Sequence, residues 1–262
     1  MSEQKVALGI DIGGSGIKGA PVDLTAGEFA ADRLRIATPK KSTPRNVAKV
    51  VGEIVEHFAD QIGPDAPIGI TMPAIVRQGV TRSAANIDPS WVGFAAEELF
   101  EEITGRDVFV VNDADAAGIA EVVYGAAKDV EGLVILTTLG TGIGTALINN
   151  GNLVPNSELG HLEIDGHDAE SRAASRVKDD EGLSYKKWAK KRLQRYYETL
   201  EFLFSPSLFV VGGGVSKDAD KFLPLLELET PIVAAQLRNT AGIVGAAHIA
   251  DDLSSRGITH LA

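Results

Sequence analysis

The chain has 262 residues, 44% hydrophobic and 23% charged, which suits a globular protein of one large or two modest domains. It contains no cysteine, which excludes disulfides, thiolate metal sites and cysteine nucleophiles. A net charge of −11 opposes nucleic acid as a partner, no apolar run reaches the roughly 18 residues of a membrane helix, and MSEQKVALGI lacks the pattern of a signal peptide, so the expectation is a cytoplasmic protein.

In chain order, residues 5–12 read as a strand, 16–23 as its hairpin partner and 31–37 as a third strand. Residues 45–60 carry Val47, Val50, Val51, Ile54, Val55 and Phe58 at helical spacing. Short buried strands are expected at 67–71 and 108–111, with a helix over 94–104 between them. An Ala-rich helix over 113–126 is opened by Asp113, a residue type favoured at helix N-caps.

The second half repeats the opening theme. A strand over 132–138 runs into 139-LGTGIGTALINNG-151, which reads as a glycine turn, a strand and an Asn-Asn-Gly hairpin turn. A long helix is expected from about 184 to 204, with Ala189, Leu193, Tyr196, Leu200 and Leu203 on its apolar face. The strand in 208-LFVVGGGVS-216 ends in three glycines, and 239–252 reads as a closing helix. Alternating strands and helices predict α/β architecture.

Glycine turns follow three of these strands. Glycine reaches positive φ without steric cost, and a run of such residues presents consecutive backbone N–H groups to an anion. Any one turn is also explained as plain hairpin chemistry; three together suit a polyphosphate or nucleotide. Neither GxxxxGK[ST] nor GxGxxG follows the first strand, so P-loop and Rossmann readings fail.

The joint order is more specific: 11-DIGGSGIK-18, then Asn112-Asp113, then 139-LGTGIG-144, then 158-ELGH-161, then Gly212-Gly213-Gly214. This pattern, spanning about residues 6–250, resembles the sugar kinase and hexokinase–actin superfamily, and within it the ROK family of sugar kinases and repressors. The resemblance implies an actin/hexokinase-like (ribonuclease H-like) α/β fold with an interdomain cleft. The small domain would be 1–112 plus 241–262, and the large domain 113–240. It implies that Asp113 is the general base on the sugar hydroxyl and that Asp11 acts on the phosphates through Mg²⁺, via water. It also implies that Gly13, Gly14, Ser15, Gly16, Thr138, Gly140, Thr141, Gly142, Gly213 and Gly214 hold phosphate or nucleotide. Lys18 either joins that site or is a solvent-facing strand lysine. Sugar ligands would be Asn86, Asn112, Asp113, Glu158, His161 and a distal glutamate, Glu170 or Glu163. Many ROK members build a cysteine-rich zinc motif after the histidine; this chain has no cysteine for it, and no zinc site is expected.

The segment 37-ATPKKSTPRN-46 departs from the general family pattern. With its stretches 156–170 and 202–217, the chain resembles the polyphosphate glucokinases within ROK, in which the Thr-Pro segment (here Thr38, Pro39, Lys40, Lys41, Ser42, Thr43, Pro44) serves polyphosphate use. The implied reaction is glucose plus inorganic polyphosphate to glucose 6-phosphate, with ATP as an alternative donor and a homodimer as the assembly. Residues 172–195 hold nine Lys/Arg against three acids, a local +6 on a remainder of −17. They form either a track for a polyanion or the wet face of the 184–204 helix. Three other readings stay open: a strictly ATP-dependent glucokinase, a kinase of another hexose or N-acetylhexosamine, and a non-catalytic sugar-binding module. A ROK-type repressor is disfavoured, because the first strand begins near residue 5 and leaves no room for a helix-turn-helix ahead of it.

Overall fold

The computed structural model describes residues 5–84 and 87–261. Two compact units emerge: one runs to Ala120 and resumes at Thr240, the other is Glu121–Asn239. Among the described residues no helix is long and apolar enough to cross a membrane.

The first unit is built on a sheet ordered β3-β2-β1-β5-β8, with β4 also on β2. Its strands are β1 (Val6–Ile12), β2 (Ile17–Asp23), β3 (Glu28–Phe29), β4 (Leu34–Ile36), β5 (Ile68–Met72) and β8 (Val108–Asn112), with a small hairpin of β6 (Val76–Arg77) and β7 (Val80–Thr81) between the last two. The third strand is shorter than the expected 31–37, because only Leu34–Ile36 pairs with β2. β1 and β2 form an antiparallel hairpin, whereas β1, β5 and β8 run parallel. Both faces of β1 are covered, so it reads as a nearly continuous apolar run. Leu8, Ile10 and Ile12 share a core with Val47, Val51 and Ile54 of α1 (Pro44–His57) and Phe100 of α2 (Ala96–Thr104). Pro44 sits in the first turn of α1, where its missing N–H breaks no helical bond. Helix α3 (Asp113–Val123) follows β8 without a loop.

The second unit has a sheet ordered β11-β10-β9-β14-β15: β9 (Leu133–Leu139), β10 (Ile143–Asn149), β11 (Asn152–Val154), β14 (Leu208–Gly212) and β15 (Ile232–Ala234). Asn150 and Gly151 both have positive φ, the backbone that a two-residue hairpin turn requires. A separate small hairpin pairs β12 (Glu163–Ile164) with β13 (His167–Asp168). After it come α4 (Glu170–Ala173), α5 (Ser175–Asp180), α6 (Tyr185–Trp188) and α7 (Gln194–Phe204). The expected single helix over 184–204 is therefore α6 and α7, joined through a wide π-type turn at Ala189–Leu193. Ala189, Leu193, Tyr196 and Leu200 are buried as expected, with Tyr197 packed edge-on to Phe209. Leu203 is not: it stands 54% exposed beside Phe202, because Phe204, four residues after Leu200, is the residue of the last turn that packs on the core.

The last helix, α8 (Ala241–Ser255), returns to the first unit and lies on β1 and β5. A Cβ at Gly9 would fall 2.0 Å from the Ile243 carbonyl oxygen, and one at Gly69 1.9 Å from that of Ala246. Helix backbone thus touches strand backbone, which only glycine permits. Gly69→Ala is expected to cost about 3 kcal/mol or more, the upper end of overpacking penalties, because the obstacle is backbone and cannot rotate away. Urea and thermal unfolding would read this, and a wild-type melt for the variant would refute the contact.

Candidate active site

In the first unit, the parallel strands β1, β5 and β8 deliver their carboxyl ends to one edge of the sheet, where ligands of open α/β sheets bind. The register places Thr71, Asp11, Lys18 and Arg35 side by side on β5, β1, β2 and β4. Thr71 Oγ1 donates to Asp11 Oδ1 at 2.9 Å, and Lys18 Nζ to Asp11 Oδ2 at 3.1 Å. Lys18 is thereby placed in this row rather than out in solvent. The turn that follows is closed by Gly13 N–H on the Gly16 carbonyl at 3.2 Å, leaving Gly14 and Ser15 exposed at its tip. Arg35 donates to the Ser15 carbonyl at 2.9 Å, so its guanidinium lies over the turn. Sequence reading missed Arg35 and Thr71; alternation in 34-LRI-36 marks Arg35 as outward, but only strand register reveals its neighbours.

Each Asp11 oxygen accepts one donor and keeps lone-pair capacity for another. A single hard carboxylate beside an ammonium fits Mg²⁺ held through retained water rather than by direct ligation. The segment 37–46 abuts this turn, with Thr38 Oγ1 donating to the Gly13 carbonyl at 2.6 Å. Ser42 Oγ accepts from Asp88 N–H at 3.1 Å, the Ser42 carbonyl accepts from Trp91 Nε1 at 2.8 Å, and Pro44 is buried. Lys40, Lys41 and Arg45 point to solvent.

Two strands from Asp11, roughly 10 Å at standard strand spacing, β8 ends at Asn112 and α3 begins at Asp113. The expected cap assignment is corrected here. Asn112 Oδ1 accepts from the N–H groups of Ala114 (2.8 Å) and Asp115 (3.2 Å), while Asn112 Nδ2 donates to the Ala74 carbonyl at 3.2 Å. Asn112 is the N-cap, and Asp113 is the first helical residue, exposed, with Oδ1 also accepting from Ala114 N–H at 2.8 Å. Asn86 lies outside the described residues.

In the second unit two glycine turns stand side by side. Thr138 of β9 pairs with Gly212 of the parallel strand β14. The first turn closes through Gly140 N–H on the Gly142 carbonyl at 3.0 Å, with Thr141 exposed. Gly213, at φ 81°, lies against the backbone of Leu139, and Gly214 follows it.

The ELGH stretch is pinned to β10. Thr145 Oγ1 donates to the Ser157 carbonyl at 2.8 Å and accepts from Leu159 N–H at 3.1 Å. Burial raises the Glu158 carboxyl above its ordinary range; nearby His161 opposes the shift and Glu170 adds to it. His161 Nδ1 and Asp168 Oδ2 are 2.8 Å apart, Asp168 Oδ1 accepts from Glu170 N–H at 3.1 Å, and Glu170 Oε2 accepts from Ile143 N–H at 3.0 Å. Asp168 therefore clamps both ends of the loop, and sequence reading missed it. Glu158, His161 and Glu170 are gathered close together, near enough for Glu170 to act on both Glu158 and His161, whereas Glu163 stands exposed on β12. The donor atoms of His161, Asp168 and Glu170 lie within 4.8 Å of one another, a set that a cation could share.

The bond to Asp168 raises the His161 pKa; burial opposes the shift, and Glu170 and Glu158 add to it. A raised histidine pKa stabilises the fold fully below about pH 6.5, the ordinary value, and that contribution is lost as pH rises through the raised value. Asp168→Asn is expected to bring the His161 midpoint down towards 6.5, followed by NMR of the imidazole protons. An unmoved midpoint would show that Asp168 is not the clamp.

Residues 7–181 match the ROK family. The chain is 51% identical to the polyphosphate glucokinase of Mycobacterium leprae, over 97% of this chain and 76% of that protein. It is also 51% identical to the polyphosphate glucokinase of Mycobacterium tuberculosis, over 93% of this chain and 91% of the relative. Among solved structures it is similar to the inorganic polyphosphate/ATP-glucomannokinase of Arthrobacter sp. strain KM, with a TM-score of 0.88 and 50% identity, covering 96% of this chain and 99% of that one. A ROK glucokinase from Streptomyces griseus shares the fold at a TM-score of 0.77 and 24% identity. The fold is that of the actin/hexokinase-like sugar kinases, and the chain belongs to the ROK family.

Proposed function

We propose that this protein makes glucose 6-phosphate from glucose and inorganic polyphosphate, with ATP as a second donor. The observation that carries this reading is the 51% identity to polyphosphate glucokinases over almost the whole chain. The placement of Asp113 at the mouth of the first sheet supports its role as base. Asp113 takes the proton of the sugar 6-hydroxyl as its oxygen forms a bond to the terminal phosphorus. The bridging P–O bond breaks, and its electron pair leaves with a polyphosphate shortened by one phosphate, or with ADP.

Glu158, His161 and Glu170 hold sugar hydroxyls in this reading, with Asp168 orienting His161 and the Glu170 backbone. Asn112 has its amide engaged by α3 and the Ala74 carbonyl, so its part is to fix Asp113 at least as much as to touch sugar. The exposed backbone at Gly14 and Ser15, with Lys18 and Arg35, and the turns at Gly140–Gly142 and Gly213–Gly214 receive donor phosphates. Asp11 would hold Mg²⁺ through water, and the ion would supply positive charge to the transferred phosphoryl group. The glucomannokinase activity of the 50% identical Arthrobacter protein supports mannose as a second sugar. Homodimer formation belongs to the same reading.

Asp113→Asn is expected to lower kcat by about 10²–10⁴, the usual worth of a positioned base, while glucose affinity by calorimetry stays within a few-fold. Near-normal turnover in that variant would remove the assignment. The donor is tested by following glucose 6-phosphate with long-chain polyphosphate and with ATP at matched phosphate concentration. Faster turnover with polyphosphate is expected, with Lys40→Ala/Lys41→Ala raising KM for the polymer more than for ATP. Turnover with ATP alone would leave an ATP-dependent kinase.

A further inference from the structure

A pocket beneath the sugar hairpin has no part in the roles assigned above. Its volume is about 210 Å³, and its wall includes the β12–β13 hairpin, α4, the wide turn at 189–193 and α7. That is below the roughly 300 Å³ at which drug-sized ligand sites begin, and suits one or two phosphoryl groups. The charged and titratable groups lining it are Arg172, Lys191, Arg192, Arg195, His167, Asp165 and Tyr196.

The basic segment as a whole is not an open rail of cations. Arg176 pairs with Asp180, Lys178 with Asp179 and Lys190 with Glu227. In the pocket, Arg192 pairs with Glu181, and Arg195 grips both Asp165 oxygens at 2.9 Å. Of the cations that line the pocket, two have no acid partner among the described residues. Lys191 makes no ion pair among the described residues, and Arg172 Nη2 reaches only the His167 Nε2, at 2.6 Å. A pocket with surplus guanidinium and ammonium donors and one acid already paired is complementary to a small oxyanion.

Two further observations bear on the pocket. The segment that carries Arg172 is tied to the Gly140–Gly142 turn: Ser175 Oγ and the Arg176 N–H both donate to the Gly140 carbonyl, each at 3.1 Å. Lys191 and Arg192 also lie in the π-type turn, a winding that is rare within helices and concentrates at functional sites.

We infer that this pocket binds a phosphate group, and that in the working enzyme the group belongs to the polyphosphate chain beyond the phosphate being transferred. The inference rests on the polyphosphate reading for its source of phosphate, though not for the pocket itself. The test compares wild-type enzyme with Arg172→Ala/Lys191→Ala and with the charge-keeping Lys191→Arg. KM would be measured for long polyphosphate and ATP, and calorimetric affinity for tripolyphosphate and orthophosphate.

In the double variant KM for long polyphosphate is expected to rise about fivefold or more, with a shallower salt dependence, as when phosphate contacts are lost. KM for ATP and for glucose should stay within about twofold, and Lys191→Arg, which keeps the positive charge, should retain the polymer KM within about twofold. Weaker orthophosphate binding with an unchanged polymer KM would keep the phosphate pocket and assign it free phosphate. No change in any phosphate measurement overturns the pocket. A wild-type enzyme inert towards polyphosphate would count against the donor reading, and the orthophosphate titration would still decide the pocket.

Discussion

The contact between α8 and the first sheet is the constraint on which the first unit depends. Where Gly9 and Gly69 meet the carbonyls of Ile243 and Ala246, no side chain separates helix from strand. This approach brings the start of α8 to the face of β1 that carries Asp11: a Cβ placed on Gly242 would lie 3.7 Å from Asp11 Oδ1. Packing and chemistry are therefore settled together. Gly9 and Gly69, which admit the helix, lie two residues before Asp11 and Thr71 on the same strands and share their face.

That row shows how register makes a site out of unremarkable residues. Asp11 alone is an acid in a turn, and Lys18 alone is a lysine in a strand. Strand pairing sets Thr71 on one side of Asp11 and Lys18 on the other, and adds Arg35 beyond. The acid is oriented from both sides before any ligand arrives, which reduces the ordering cost of binding one. The second unit uses the same device at the loop from His161 to Glu170, where one carboxylate, Asp168, fixes an imidazole and a backbone amide.

Much of this was legible in the sequence because glycine clusters and apolar alternation are local signals. The glycine turns, the hairpin at Asn150-Gly151 and the burial of Leu193, Tyr196 and Leu200 all follow from residue type and spacing. What escaped was non-local. Arg35 gains its place from cross-strand register, Asp168 from a hairpin of two-residue strands, and the capping role of Asn112 from a helix that begins without a loop. The π-type turn also left no mark, since Ala-Lys-Lys-Arg-Leu has an ordinary helical pattern. Leu203 misled because three-residue and four-residue spacings both fit a helix face: the core takes Phe204, four after Leu200, and leaves Leu203 exposed.

The discontinuity of the first unit has a temporal consequence. Glu121–Asn239 is one unbroken stretch and has all its strands as soon as it is synthesised. The first sheet emerges earlier yet lacks α8 until the last part of the chain is made. On the ribosome, where domains fold as units when complete, the inserted unit is thus ready first. Meanwhile β1 and β5 wait with their glycine-lined face uncovered until α8 closes it.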